Sequence, residues 1–78
     1  MTLEVTTGTA GPFQAFEAAM LPHLDAVLRY ASFLERDRIA GEDLAQDTFL
    51  RAFRAWRSFE PGSDPRRWLF TICRNHFL

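Results

Sequence analysis

Among the 78 residues, two close pairs of side chains have types from which a reaction centre could be built. Cys73 and His76 stand three apart, a spacing that puts two helical side chains on one face and supplies half of a metal site. A tetrahedral site needs two further ligands. His23 is the remaining imidazole and there is no second cysteine, so the pair reads as core packing. Glu42 and Asp43 are adjacent carboxylates, but neighbours on a helix point in different directions and are poorly placed to share acid-base work. A phosphate-cradling glycine loop and a nucleophile motif are both missing. No cofactor or metal is expected, and the chemistry to look for is binding.

Two surfaces have the composition for it. Asp43, Gln46, Asp47, Leu50, Phe53, Arg54 and Arg57 fall on the outer face of one helical segment, with Leu50 near the middle of the polar arc. A large apolar residue ringed by charge is the layout of an interface anchor with a polar rim, although a single exposed leucine also needs no explanation. Further on, Arg66, Arg67 and Arg74 interleave with Phe59, Phe70 and Phe77. Cations hold phosphates and rings stack on exposed bases, each stacked base contributing roughly 1–3 kcal/mol, so this mixture suits single-stranded nucleic acid. The competing reading makes Phe59 and Phe77 ordinary core residues and the arginines a solvated face.

The elements that must position these groups follow from composition and period. The chain is 47% hydrophobic, 14% aromatic and 24% charged, the balance of one small folded domain that leans on its aromatics. A lone cysteine excludes an intrachain disulfide and fits a reducing compartment. With no apolar run approaching a membrane span, and no Lys or Arg before Arg29 to begin a secretory signal, a cytoplasmic setting is expected. The net charge of -1 conceals a division. Up to Leu50 three arginines face eight carboxylates, whereas from Arg51 onward six arginines face two. All the cations are arginine; base or ring pairing would favour that, and so would a GC-rich genome, which is the preferred reason.

Residues 1–11, Thr- and Gly-rich without a helical period, read as a flexible N-terminal arm. Pro12 opens a helix whose apolar stripe is Phe13, Phe16, Met20, Leu24, Val27, Ala31 and Leu34. Pro22 falls inside it, and because the stripe keeps phase a kink is expected there. Asp37 caps a second helix running to about Arg57, with a core face of Gly41, Leu44, Ala45, Thr48, Phe49, Ala52, Ala55 and Trp56. Gly41 is tolerable near a helix end or where another backbone packs close. Ser58 to Asp64 is a turn-rich loop, after which Asp64 and Pro65 start a third helix. Its buried side carries Trp68, Leu69, Ile72 and His76, leaving Arg67, Phe70, Arg74 and Phe77 to point away. The fold class is therefore all-α, a compact three-helix domain over residues 12–78.

GEDLAQDTFLRAFRAWRSFEPGSDPRRWLFTICRNHFL, preceded by PHLDAVLRYASFLERD, resembles the promoter-melting domain, region 2, of bacterial extracytoplasmic-function (ECF) sigma factors. Three blocks carry the resemblance in the right order and spacing: the acidic EDLAQDTFLRA helix, the SFEPGSD loop, and WLFTICRN. It covers Phe13 to Leu78.

The resemblance implies two tasks. One face of the acidic helix, by position Asp43, Gln46, Asp47, Leu50 and Arg54, docks on the β′ clamp helices of RNA polymerase. The loop and the next helix seize the promoter -10 element and hold a flipped non-template base, at an unstacking cost of a few kcal/mol. Asn75, whose amide both donates and accepts, is the residue expected to read that base. Phe59 and Ser63 line its pocket, Arg66, Arg67 and Arg74 hold phosphates, and Phe70 offers a ring to the opened strand. An anti-sigma factor is a further possible partner; membrane contact is not expected. Gly41 and Ala45 depart from the family's Ala and larger aliphatic, which suggests a looser second helix. The chain also stops before the family's arginine-rich continuation and its -35-reading domain, so a fragment, with the third helix truncated, is expected. An alternative of another class is a protein-interaction module, a decoy or anti-sigma-binding fragment that does not bind DNA.

Overall fold

The computed structural model describes residues 11–78; residues 1–10, nearly all of the expected arm, lie outside the described residues. The chain runs α1 (Pro12–Met20), a 3-10 turn (Leu21–His23), α2 (Leu24–Glu35), α3 (Arg38–Arg54), a second 3-10 turn (Trp56–Ser58) and α4 (Pro65–Phe77). No strand occurs among the described residues, as the all-α reading requires. No helix among them is long and apolar enough to cross a membrane.

The expected first helix is divided at Pro22. Proline has no N–H to give the ladder, and the chain tightens into one 3-10 turn in which the Leu24 N–H bonds to the Leu21 carbonyl. The apolar stripe continues through the break: Phe16, Met20, Val27 and Ala31 are buried. Phe13 and Leu24, expected on that stripe, are instead about half-exposed, at 55% and 45%. Arg36 closes α2 in the left-handed conformation (φ 58°), donating its N–H to the Ser32 carbonyl at 2.8 Å. Asp37 follows at once and caps α3 by accepting from the Ala40 N–H at 2.8 Å.

Gly41 is buried where α3 crosses α2, and a Cβ built on it would lie 2.5 Å from the Ser32 Cα and 2.8 Å from its backbone nitrogen. The glycine therefore marks a close backbone approach, and the expectation of a looser second helix is wrong at this point. Ala45 and Ala52 are also buried, and Thr48 satisfies its hydroxyl by donating to the Leu44 carbonyl at 2.7 Å. α3 ends at Arg54, a turn short of the expected Arg57, because Trp56 to Ser58 tighten into the 3-10 turn.

Leu69 and Cys73 are the fully buried residues of α4, with Trp68, Ile72 and His76 half-buried. α4 packs against both α2 and α3, so its buried arc is wider than a single face, and Cys73 lies in the core as expected. Phe70 corrects the sequence reading for the same reason. Rather than pointing away, it lies half-buried in parallel stacking with Tyr30 of α2, ring centroids 4.5 Å apart.

Candidate functional site

α3 is fixed at its N-terminus by the Asp37 cap and along one side by its core face, which leaves the opposite side to solvent. Asp43, Gln46, Asp47 and Arg54 are exposed there and Leu50 is 49% exposed. Leu50 also stands on the edge of an apolar groove of about 540 Å³ between α3 and the α1–α2 corner, lined by Phe13, Leu21, Leu24, Phe49 and Phe53 among others, with Glu17 and Glu42 at its rim. Sequence reasoning placed Leu50 but missed the groove. Its one available signal was the pair Leu21 and Leu24 around Pro22, which the 3-10 turn leaves exposed. On the other side of this face Asp47 meets α4, its Oδ2 lying 2.9 Å from His76 Nε2.

α4 is placed by Asp64, whose carboxylate accepts from the N–H groups of Arg66 at 3.0 Å and Arg67 at 3.4 Å, with Pro65 in the first turn. The preceding loop is pinned by rings: Trp56 stacks on Phe59 at 5.5 Å, and Phe59 lies 4.9 Å from Trp68. Phe59 is thus half-buried within an aromatic cluster. Ser63 is exposed just after Gly62, whose φ of 91° makes the turn, and its N–H donates to the Glu60 carbonyl at 3.0 Å.

Two of the hollows bordering α4 hold its predicted DNA-binding residues. Arg66, Arg67, Phe70, Thr71 and Arg74 share one with Tyr30 and Asp64 on the α2 side. Asn75 lines the other, facing α3, with Arg51, Arg54, Ala55, Ile72 and His76. The structure therefore gathers three arginines and Phe70 on one flank and sets Asn75 apart from them, beside Arg54, which the sequence had grouped with Leu50. The cause is helical geometry, since consecutive residues are rotated by about 100°. Phe59 and Ser63 line neither hollow. Tyr30 and Arg51 are members of these surfaces that sequence reasoning did not find, because the tertiary packing of α2 and α3 against α4 brings them there.

Charge is distributed unevenly. Among the described residues the ion pairs are Arg29–Asp25 at 3.5 Å, Arg38–Glu42 at 3.4 Å and the His76–Asp47 contact. Arg51, Arg54, Arg66, Arg67 and Arg74 make no such pair with a described carboxylate, and all five are exposed. No cluster of three metal-ligating side chains is found among the described residues. Cys73 lies fully buried; desolvation pushes its thiol pKa up, the repulsion of Glu35 adds to the rise, and a hydrogen bond with Thr48 opposes it.

These features define a small helical domain with an acidic apolar-centred face and an arginine-rich one. The chain belongs to the sigma-70 region 2 family, whose model matches residues 20–78. It is 35% identical over 72 residues to the ECF RNA polymerase sigma factor SigE of Mycolicibacterium smegmatis, covering 92% of this chain and 28% of that protein. It is 44% identical over 59 residues to EcfG of Rhodopseudomonas palustris, covering 76% of this chain and 31% of that one. BldN of Streptomyces coelicolor is 38% identical over 72 residues, which cover 91% of this chain and 27% of BldN. Both are likewise named ECF RNA polymerase sigma factors. The chain spans less than a third of the length of these three relatives. No solved structure matches it.

Proposed function

We propose that this domain acts in transcription initiation by binding RNA polymerase through the outer face of α3 and promoter -10 DNA through α4 and the loop before it. The observation that carries the reading is the coexistence, on a sigma-70 region 2 domain, of two separate solvent-facing surfaces of opposite character. Leu50 is the apolar anchor of the first, with Gln46, Asp43 and Asp47 as its polar rim and Arg54 at its edge. Its partner is the β′ clamp helices. On the second, Arg66, Arg67 and Arg74 hold backbone phosphates beside the Tyr30–Phe70 stack, while the Asn75 amide reads an extruded non-template base and Ser63 and Phe59 border the strand's path. The domain catalyses nothing itself; unstacking is offset by contacts to the opened strand. The setting is the bacterial cytoplasm, and an anti-sigma factor covering the α3 face is a further partner of this reading.

Binding of a single-stranded -10 oligonucleotide by the 78-residue chain and capture by core polymerase test the two faces separately. Asn75→Ala is expected to weaken the oligonucleotide and spare the polymerase; Leu50→Asp is expected to do the reverse. Unchanged affinities in both assays overturn the assignment. The apolar groove beside Leu50 favours a second reading, a protein-interaction module using α3 alone. Polymerase capture without oligonucleotide binding selects it.

A further inference from the structure

Arg51 is the residue whose surroundings the two-face reading leaves unexplained. Its natural intrahelical partner is Asp47, one turn earlier, in the acid-before-base order that favours an i,i+4 pair. That pair is not made. Asp47 turns instead to His76 of α4 at 2.9 Å, and Arg51 is left exposed without a described carboxylate. Arg54, three residues on, has Leu50 one turn before it and likewise makes no ion pair with a described carboxylate. Both arginines line the same hollow of about 520 Å³, floored by Ala55 and Ile72, with Asn75 and His76 on the α4 side. Two arginines of α3 and an asparagine of α4 thus border one concavity.

We infer that this hollow between the last turns of α3 and α4 is a phosphate seat, in which Arg51 and Arg54 hold a backbone phosphodiester of the strand whose base Asn75 engages. Guanidinium forks match phosphate oxygens bidentately, and a neutral amide alongside suits the attached nucleotide rather than a second charge. The His76–Asp47 contact serves the site by holding the nearby carboxylate on the imidazole, where it is not paired with Arg51. Arg54, at the edge of the polymerase face, thereby also borders the nucleic-acid site. The inference rests on the proposed -10 reading and extends it with a phosphate contact on the flank of α4 opposite Arg66, Arg67 and Arg74.

The test is anisotropy of a single-stranded -10 oligonucleotide with the 78-residue chain across a salt series, circular dichroism confirming the fold of each variant. Arg51→Gln with Arg54→Gln is expected to weaken binding about tenfold at low salt and to flatten the log–log salt slope by about 0.7, the value for one single-strand phosphate. Arg51→Gln alone should weaken the oligonucleotide and leave capture by core polymerase unchanged. If this double variant keeps wild-type affinity and slope while Asn75→Ala loses affinity, the seat is wrong and the -10 reading stands. If no oligonucleotide binding is measurable, or neither variant nor Arg66, Arg67 and Arg74 all changed to Gln alters it, both fall. Inorganic phosphate that binds the wild type and not the double variant, while both hold the oligonucleotide equally well, assigns the hollow to a free anion and overturns the strand contact.

Discussion

His76 Nε2 lies 2.9 Å from Asp47 Oδ2, a contact between residues 29 apart in sequence that ties the last turn of α4 to the middle of α3. Asp47 belongs to the face proposed for the polymerase, and His76 follows Asn75, so the two proposed surfaces are joined through one hydrogen bond. The imidazole is 28% exposed and the carboxylate 52%, which keeps its energetic weight small. A double-mutant cycle of Asp47→Ala and His76→Ala, followed by urea denaturation, should give a coupling energy below about 1 kcal/mol. Asp47→Ala alone should leave thermal stability nearly unchanged.

Gly41→Ala should destabilise the domain despite alanine's advantage of about 1 kcal/mol within a helix. The added Cβ meets the Ser32 backbone, which has no side-chain rotamer by which to retreat. Overpacking of this kind costs about 1–3 kcal/mol, so a net loss and a lowered Tm in a thermal melt are expected. A raised Tm would show that α2 and α3 can separate at this crossing without cost.

Asp64→Ala removes the acceptor for the Arg66 and Arg67 N–H groups and should cost about 1 kcal/mol. For a domain of this size that is a fall of about 4–8 °C in Tm. Asp64→Ser should recover most of it, because the hydroxyl can cap the same N–H groups. Amide exchange should accelerate in the first turn of α4 before it does in the Leu69–Cys73 region.

Cys73 should resist alkylation in the folded chain and react on unfolding, since it is fully buried and its thiol pKa is raised by desolvation. The linked effect on stability has a definite sign. The unfolded chain's thiol ionises first as pH rises, so below the ordinary thiol pKa the contribution of Cys73 is fully present. It is lost progressively as pH climbs from that value toward the raised folded one. Chemical denaturation at alkaline pH, comparing wild type with Cys73→Ala, should show the wild type losing stability more steeply with pH.

Local signals in the chain were sufficient for the elements themselves. Asp37 and the Asp64–Pro65 pair start α3 and α4 by capping chemistry that needs no distant partner, Pro22 interrupts the first helix by lacking a donor, and the period of three and four places Val27, Ala31, Leu44 and Ala52 inside. The exposure of Leu50 was also legible, since it lies near the middle of the polar arc of its helix. Tertiary packing decided what a single helix cannot encode. Phe70, expected to point away from the core, stacked on Tyr30 of α2, and Gly41 proved to be a crossing point. Asp47 chose His76 over Arg51, and Asn75 parted company with Arg66, Arg67 and Arg74 to face Arg51 and Arg54. Caps and periods depend on residues within a turn of one another. The neighbour a side chain finds across an interface depends on how helices cross, and that is set by the close packing of the whole core.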